Sequence, residues 1–330
     1  MLWVTWRQHR VTLIALLGGS VALAIITVFV TAYAQRLRVE LGVDTCVPLA
    51  NTNANCVDLA QEWRRRLGAW LYLFQAFYIV PALVASYVGG PLLAREIERG
   101  THRLCWTQGI SRTRWTLTLV GVVVVFTAAA ALTLALVGGQ TRVLLGTSDF
   151  RPWDTFDVEG PALVAFMIFG VALAAFIGAW RRRILAGMFY GLVVFGLIRS
   201  GIWAEMRPFY ERPVAVAFSP FVFTGPFSAP VQSRIPKDAW LIGIDAVDGQ
   251  GRPVPQARVN ALLDENELIC RSGRGCDSVQ YLNDHDVYQR SLYQPADRYW
   301  RFQLYEAGLY LALTVALVAG TLVMLRRRDA

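Results

Sequence analysis

Residue types that could bind a nucleotide or a metal ion are scarce in this chain. Lysine occurs once, at Lys237, flanked by a proline and an aspartate. A phosphate-binding P-loop requires a lysine after a glycine-rich turn, so the sequence excludes that motif. The three histidines, His9, His102 and His285, lack a second histidine or a cysteine pair at metal-ligand spacing. The sequence therefore predicts no cofactor or metal site in this chain.

Catalytic arrangements are equally weak. The segment from Asn283 to Asp286 is rich in oxygen ligands, but a solvated loop on a surface domain explains it better than a cation site. No Gly-x-Ser-x-Gly nucleophile elbow occurs. A membrane enzyme acting on lipid stays an alternative that would require an intramembrane acid or histidine. The sequence offers few such residues, so we do not predict an enzyme.

Polar residues inside apolar blocks are the remaining candidates for function. Arg199 and Glu306 lie near the ends of two such blocks, where they can snorkel or pair with each other, and buried ions often mark a transport pathway. Gln75 and Pro81 are more central in another block, and a proline frees a backbone carbonyl there. Ordinary helix packing also explains these residues. Gln75, Pro81 and Arg199 are our candidate translocation path.

These side chains are carried by six apolar segments. The chain has 330 residues, 55% hydrophobic and 17% charged, and its apolar residues form blocks of twenty or more. About 20 such residues cross the hydrocarbon core as a helix. We predict an all-α membrane protein with spans at 11–33, 67–88, 115–139, 161–180, 184–204 and 305–325.

Basic residues predict that both termini face the cytoplasm. With that topology the cytoplasmic pieces hold 13 arginines against three acids, as the positive-inside rule favours. The same rule explains the net charge of +8 better than nucleic-acid binding does, so we expect no nucleic-acid partner. The cysteines agree, because Cys46 and Cys56 share one outer loop and Cys270 and Cys276 share another. Short-range pairing is our prediction, although four cysteines allow three connectivities.

Residues 205–303 are the one soluble segment long enough for a folded domain. We expect a small mixed α/β extracellular domain, pinned by a Cys270–Cys276 disulfide, between spans five and six. Its run from Trp240 to Val247 precedes a glycine-rich turn, a pattern that predicts a strand entering a hairpin. Residues 304–330 then form the last span and a cytoplasmic tail.

Two cytoplasmic segments have unusual composition. Residues 89–114 contain more charge than a connector requires, and predict a helix from about 91 to 99 that ends at Gly100 as a C-cap. A solvated loop obeying the positive-inside rule is the alternative interpretation. Residues 1–10 combine two tryptophans with basic residues, which suits a helix on the inner membrane surface or an aromatic anchor for span one.

The stretch from Ala94 to Leu104, with the segments 106–108 and 111–115, resembles ABC transporter permeases of the type-two exporter class, particularly a subgroup from high-GC bacteria. In that class the connector between spans two and three is a coupling helix that rests on a separate ATPase. The resemblance implies a coupling element here that includes Glu96, Glu98, Gly100, Thr101, His102 and Arg103. Residues 1–10 would match the amphipathic connecting helix of the class.

This resemblance predicts a permease in a bacterial cell membrane. It would pair with a second permease copy and two ATP-binding subunits that hold the ATP and magnesium. The substrate would be amphipathic, such as a drug, an antibiotic, a peptide or a lipid, and would be exported. The rival interpretation is a sensing or immunity module whose outer domain binds an antibiotic without transport.

Overall fold

The computed structural model describes residues 2–43, 54–100, 111–145, 152–219, 235–236, 238–271 and 278–328. Six of its helices are long and apolar enough to cross a membrane, which confirms the six predicted segments. We call them spans 1 to 6: Leu2–Glu40, Asp58–Glu98, Arg112–Leu144, Pro152–Arg181, Ile184–Phe209 and Ala296–Arg327. Six crossings leave both ends of the chain on one side, the terminal face. The opposite side is the loop face.

Regular α-helix and strand make up most of these segments. The helices are α1 Leu2–Glu40, α2 Ala54–Leu67, α3 Leu73–Val84, α4 Gly90–Glu98, α5 Arg112–Gly138, α6 Gly160–Arg181, α7 Ile184–Gly201, α8 Gln256–Arg271, α9 Ser278–Asp284 and α10 Tyr299–Arg328. The strands are β1 Val214–Ser219, β2 Trp240–Val247 and β3 Tyr288–Gln294. Span 2 joins α2, α3 and α4 through a 3₁₀ turn at Gly68–Tyr72 and a π turn at Ala85–Gly89.

The N-terminal residues are helical but do not form a helix of their own. They belong to α1, which continues unbroken from Leu2 to Glu40. At about 1.5 Å per residue this helix is nearly twice as long as the hydrocarbon core is thick. The separate connecting helix expected over residues 1–10 is therefore replaced by an extension of span 1. No glycine or proline between Leu2 and Val11 interrupts the backbone hydrogen bonds.

Span 4 is the centre of the bundle. Its most apolar stretch is 89% buried within the protein, against 17% for span 5 and 22% for span 6. Spans 2, 3, 5 and 6 all pack on it. Its core side chains include Phe166, Phe169 and Val171, all nearly inaccessible. Span 4 therefore meets protein on all sides, whereas other parts of the chain cover little of span 5.

A three-stranded antiparallel sheet lies at the loop face, in the order β1–β3–β2. The predicted strand from Trp240 to Val247 is confirmed as β2. The predicted hairpin is present only in a short form, a single antiparallel bridge between Val247 and Pro253, after which the chain enters α8. The main partner of β2 is β3. The turn reverses the chain, but the proline cannot donate to a strand ladder and helix-forming residues follow.

The cysteine predictions lie mostly outside the described residues. Cys56 is disulfide-bonded, but its predicted partner Cys46 is not described. Neither Cys276 nor the side chain of Cys270 is described, so the Cys270–Cys276 bond stays a prediction. The described part of residues 205–303 forms a small sheet with two helices, and no described contact pins it by a disulfide.

Candidate functional site

The helix predicted over about residues 91 to 99 is present at the terminal face. Helix α4 runs from Gly90 to Glu98, with a proline at its first turn. Gly100 follows with a φ of +72°, and its N–H donates to the carbonyl of Ile97 at 3.2 Å. A left-handed residue after the last turn ends a helix and costs a glycine least. The sequence prediction of a helix that ends at Gly100 is confirmed.

Helix α4 is fixed to spans 4 and 5 by glycine contacts. A Cβ on Gly187 of span 5 would lie 2.8 Å from both the Gly90 carbonyl oxygen and the Cα of Gly178. A Cβ on Gly178 of span 4 would lie 2.6 Å from the same carbonyl. These distances are too short for any side chain, so the three backbones touch directly. Small residues allow such approach between membrane helices.

A charged contact supplements the glycines. The Oε2 of Glu98 accepts a hydrogen bond from the backbone N–H of Ile184, the first residue of α7, at 3.0 Å. An acid at a helix N-terminus satisfies a free donor and the helix dipole. Movement of α4 would therefore reach spans 4 and 5 directly. Glu96 and Gly100 lie on the same segment, whereas Thr101, His102 and Arg103 lie outside the described residues.

Four charged side chains meet near the loop face. The guanidinium of Arg207 binds both oxygens of Glu306 at 2.7 Å and both oxygens of Asp157 at 2.5 and 3.2 Å. The Nη2 of Arg199 lies 2.8 Å from Asp157, and its Nη1 lies 4.0 Å from Glu306. We call these four residues the charge cluster. It contains two cations and two anions, so its net charge is zero.

Three spans supply the charge cluster. Asp157 precedes α6, Arg199 lies in the last turns of α7, Arg207 follows in the 3₁₀ turn Arg207–Phe209, and Glu306 lies two turns into α10. Arg207 is 3% exposed and Glu306 is fully buried. Charges withdrawn from water this far are tolerated only when they are paired and hydrogen-bonded. Two bidentate pairs on one guanidinium meet that requirement.

Aromatic rings cover the two guanidinium groups. The Arg199 Cζ lies 3.7 Å from the centroid of the Phe166 ring, and the Arg207 Cζ lies 4.2 Å from that of Phe156. A ring face attracts a desolvated cation and excludes water from it. The cluster is thus enclosed between the core of span 4 and the aromatic side chains at the loop face.

An open cavity of about 480 Å³ lies beside the charge cluster, between spans 2 and 5. Asp157 and Arg199 form its polar side, and its apolar side includes Tyr78, Leu192 and Trp203. A concave, mostly apolar site with a few converging polar groups is the usual form of a small-molecule site. This geometry suits an amphipathic molecule.

Of the candidate path residues, the structure brings Arg199 into this cavity. Span 2 contributes Tyr78 and Ala82 instead of Gln75 and Pro81. Gln75 is exposed on the outside of span 2, and Pro81 is buried one turn before the π turn. Gln75 and Tyr78 are three residues apart and share a helix face, so they differ mainly in their depth along the span.

The pairing of Arg199 with Glu306 was one of the two sequence interpretations, but Asp157 and Arg207 were missed. Arg207 is eight residues after Arg199, and residues at that spacing share a helix face. Asp157 lies in the sequence between two apolar segments, where no neighbouring residue indicates its partner. The signal that was available is charge balance: a second cation at the end of span 5 requires a second acid at the same depth.

The sheet is attached rigidly to the spans next to the charge cluster. The side-chain amide of Gln294, at the end of β3, donates to the carbonyls of Pro208 and Glu211 at 3.0 and 2.7 Å. Trp240 of β2 stacks on Trp153 with ring centroids 5.2 Å apart. A displacement of the sheet would therefore also displace the ends of spans 4 and 5.

Comparison with known proteins identifies the family of this chain. Residues 17–207, more than half of the chain, match a family model described as ABC-2 membrane transporter related. No curated protein and no solved structure matches the chain. The matched residues contain spans 2 to 4 whole and span 5 except its last two residues, with α4, three of the four cluster residues and most of span 1.

Proposed function

Since the chain belongs to the ABC-2 membrane transporter related family, we propose that it is the membrane subunit of an exporter driven by ATP hydrolysis on a separate polypeptide. Families of this type are generally membrane components of transporters and typically work with an ATP-binding partner. The chain itself is a multi-pass membrane protein. The observation that carries the proposal is the direct attachment of α4 to spans 4 and 5.

Helix α4 is the element that an ATP-binding subunit would move. It lies at the terminal face, which we assign to the cytoplasm of a bacterial cell because that face is rich in arginine. Its glycine contacts leave no compressible side chain between it and the two spans it touches. Packed elements of this kind shift as rigid bodies. A displacement of α4 would tilt spans 4 and 5 together.

The cavity between spans 2 and 5 is the proposed substrate site. Its apolar side, with Tyr78 and Trp203, would hold the body of an amphipathic molecule, and Asp157 and Arg199 would orient its polar end. The apolar stretch of span 5 is the least buried of the six, so we place the second permease copy there. The substrate would then leave between two copies.

The test is copurification followed by transport. A tagged chain is extracted from its native membrane under mild conditions and should bring with it a polypeptide that hydrolyses ATP in a vanadate-sensitive manner. Gly100→Val should reduce the bound ATPase at least tenfold, because a β-branched residue at a φ of +72° misdirects the chain that leaves α4. The permease itself should remain folded, since no atom of the described segments lies within 4 Å of a Cβ at that position.

Gly121→Val is the matched control. Gly121 also has open space around it, but its helix has ordinary backbone angles. It should retain the ATPase at the wild-type level. A chain that purifies alone from native membranes, or a Gly100→Val variant that binds the ATPase normally, contradicts the coupling assignment.

The attachment of the sheet to spans 4 and 5 favours one second function, a sensing or immunity module. In that case a peptide antibiotic would bind at the loop face and its effect would pass through Gln294 and Trp240. Binding by the full chain in nanodiscs, together with no ATP-dependent flux in vesicles, would select this alternative over export.

A further inference from the structure

A small cavity at the terminal face contains polar groups that the proposed function does not use. It has a volume of about 60 Å³ and lies between spans 1, 2 and 3. Its polar lining comes from His9, Thr12, Tyr87 and Arg95, and the rest is apolar. A water needs about 10–15 Å³ of such space, so the cavity accommodates a group larger than a single water.

Two nitrogen atoms at this cavity are buried without partners among the residues that the structure describes. They are the Nε2 of His9, a side chain that is 92% buried, and the Nε of Arg95. No ion pair within the described segments involves Arg95. Native proteins rarely leave a buried nitrogen atom of this kind without a hydrogen-bond partner. Both atoms therefore indicate that a ligand belongs in the cavity.

The chemistry of the lining selects an anion. A guanidinium, an imidazole nitrogen and two hydroxyl groups match the oxygens of a phosphate. The acid Glu96 influences His9 electrostatically, but it does not line the cavity and has an interaction of its own. Tyr87 is 63% exposed on the membrane side, which gives a lipid access.

We propose that the His9–Arg95 cavity binds a phosphate group, and that its source is the headgroup of an anionic phospholipid on the terminal face. The bound phosphate would join the N-terminal part of span 1 to α4, because His9 belongs to one and Arg95 to the other. This inference does not depend on an ATPase or on transport. Its failure would leave the proposed function untouched.

The test measures thermal unfolding of the full chain in a neutral detergent. Phosphatidylglycerol should raise the apparent Tm by about 3 °C or more, as expected for a ligand well above its Kd. Phosphatidylcholine should give no comparable shift. Inorganic phosphate forms a third arm: a similar shift with phosphate alone keeps the site but identifies a soluble anion as its occupant.

Arg95→Gln should abolish the shift, while Arg95→Lys should keep part of it. Arg99→Gln, which removes the same charge from an exposed position one turn away, should keep all of it. If Arg95→Gln does not fold, His9→Gln and Arg95→Lys are compared with the wild type instead. Both should reduce the Tm shift with phosphatidylglycerol. Equal shifts for the two phospholipids, an unchanged shift in Arg95→Gln, or no shift with any anion would overturn the proposal.

Discussion

The two ends of the bundle are held together by opposite chemistry. At the terminal face, α4, span 4 and span 5 meet through Gly90, Gly178 and Gly187, with backbone against backbone. At the loop face, spans 4, 5 and 6 meet through the charge cluster, where side chains reach across the gap. The same two spans thus carry a glycine contact at one end and an ionic contact at the other.

This difference separates two mechanical roles. The energy of a backbone contact rises sharply with small displacements, since a shift of a few tenths of an ångström either causes a clash or opens a gap. Such a contact therefore transmits the whole displacement from one helix to the next. Ion pairs act over a longer distance and have alternative partners. In the charge cluster, Arg199 can approach either acid, at 2.8 Å from Asp157 and 4.0 Å from Glu306. We expect the terminal end to move as one body and the loop end to rearrange.

Removing one cation from the loop end is expected to have the largest effect. Arg207→Met leaves Asp157 and Glu306 buried with Arg199 alone, and breaking a buried ion pair costs about 3–5 kcal/mol. Unfolding of the chain in mixed micelles, followed by tryptophan fluorescence, measures the loss. Adding Glu306→Leu removes the unpaired acid and should recover at least half of it.

Arg301→Met is the control for that comparison. Arg301 also pairs with acids, but its side chain is 51% exposed, so the change should cost at most about 1 kcal/mol. Equal losses in the free energy of unfolding for Arg207→Met and Arg301→Met would show that the charge cluster stabilises the loop end no more than an exposed ion pair does.

The terminal end should show an intermediate effect that depends on position. Gly187→Ala places a methyl group 2.8 Å from two backbone atoms that cannot rotate away, so overpacking should cost about 1–3 kcal/mol. Gly196→Ala, in the same helix, meets nothing within 4 Å and should be neutral or slightly stabilising. The same unfolding assay measures both. A neutral Gly187→Ala would mean that the three backbones are not in firm contact.

The bundle was predictable from sequence because the membrane imposes a simple rule. Apolar blocks of about 20 residues have few alternatives to a spanning helix. The end of α4 was predictable for a similar reason, since Gly100 after a charged helix is a local signal. Local chemistry and the solvent determine both, without knowledge of the tertiary structure.

The long-range partners were not predictable. The charge cluster joins residues as far apart as Asp157 and Glu306, and no local pattern connects them. The contact of Gly90 with Gly178 and Gly187 depends on how helices cross, which composition does not determine. The strand β2 was identified, but its partner β3 lies beyond two helices. The sequence therefore indicates individual residues of the site but not the contacts between them.

A smaller effect is expected where a charge supports the glycine contact. Glu98→Gln removes the carboxylate that accepts from the Ile184 N–H, and an exposed acid at a helix N-terminus is worth about 0.3–1 kcal/mol. The amide oxygen of glutamine can still accept, so part of the bond survives. Hydrogen exchange at the start of α7 should increase, while Glu205→Gln should leave that exchange unchanged. No change in Glu98→Gln would confine the attachment of α4 to its glycines.

The smallest effect is expected outside the bundle, where a carboxylate is exposed. In the turn after β2, Asp248 accepts from the backbone N–H groups of Arg252 and Gln250, both at 2.9 Å. The hydrogen bond from the Arg252 backbone is the main cause that lowers the pKa of Asp248. Because the pKa is lower in the folded turn, the carboxylate stabilises the turn fully at pH values above its ordinary pKa of about 3.9. This stabilisation is lost as the pH falls through the lowered pKa of the folded state.

Amide exchange at Gln250 and Arg252 should therefore lose protection only at strongly acid pH. Asp248→Asn should remove this pH dependence. The Asp245→Asn control should retain it, because the described partner of Asp245 is the side chain of Arg290. Because the turn is exposed to water, protonation of Asp248 should loosen the turn alone. Neutralising an acid of the charge cluster should instead disturb three spans at once. If low pH increased amide exchange in the turn and in the bundle together, burial would not be what distinguishes Asp248 from the acids of the charge cluster.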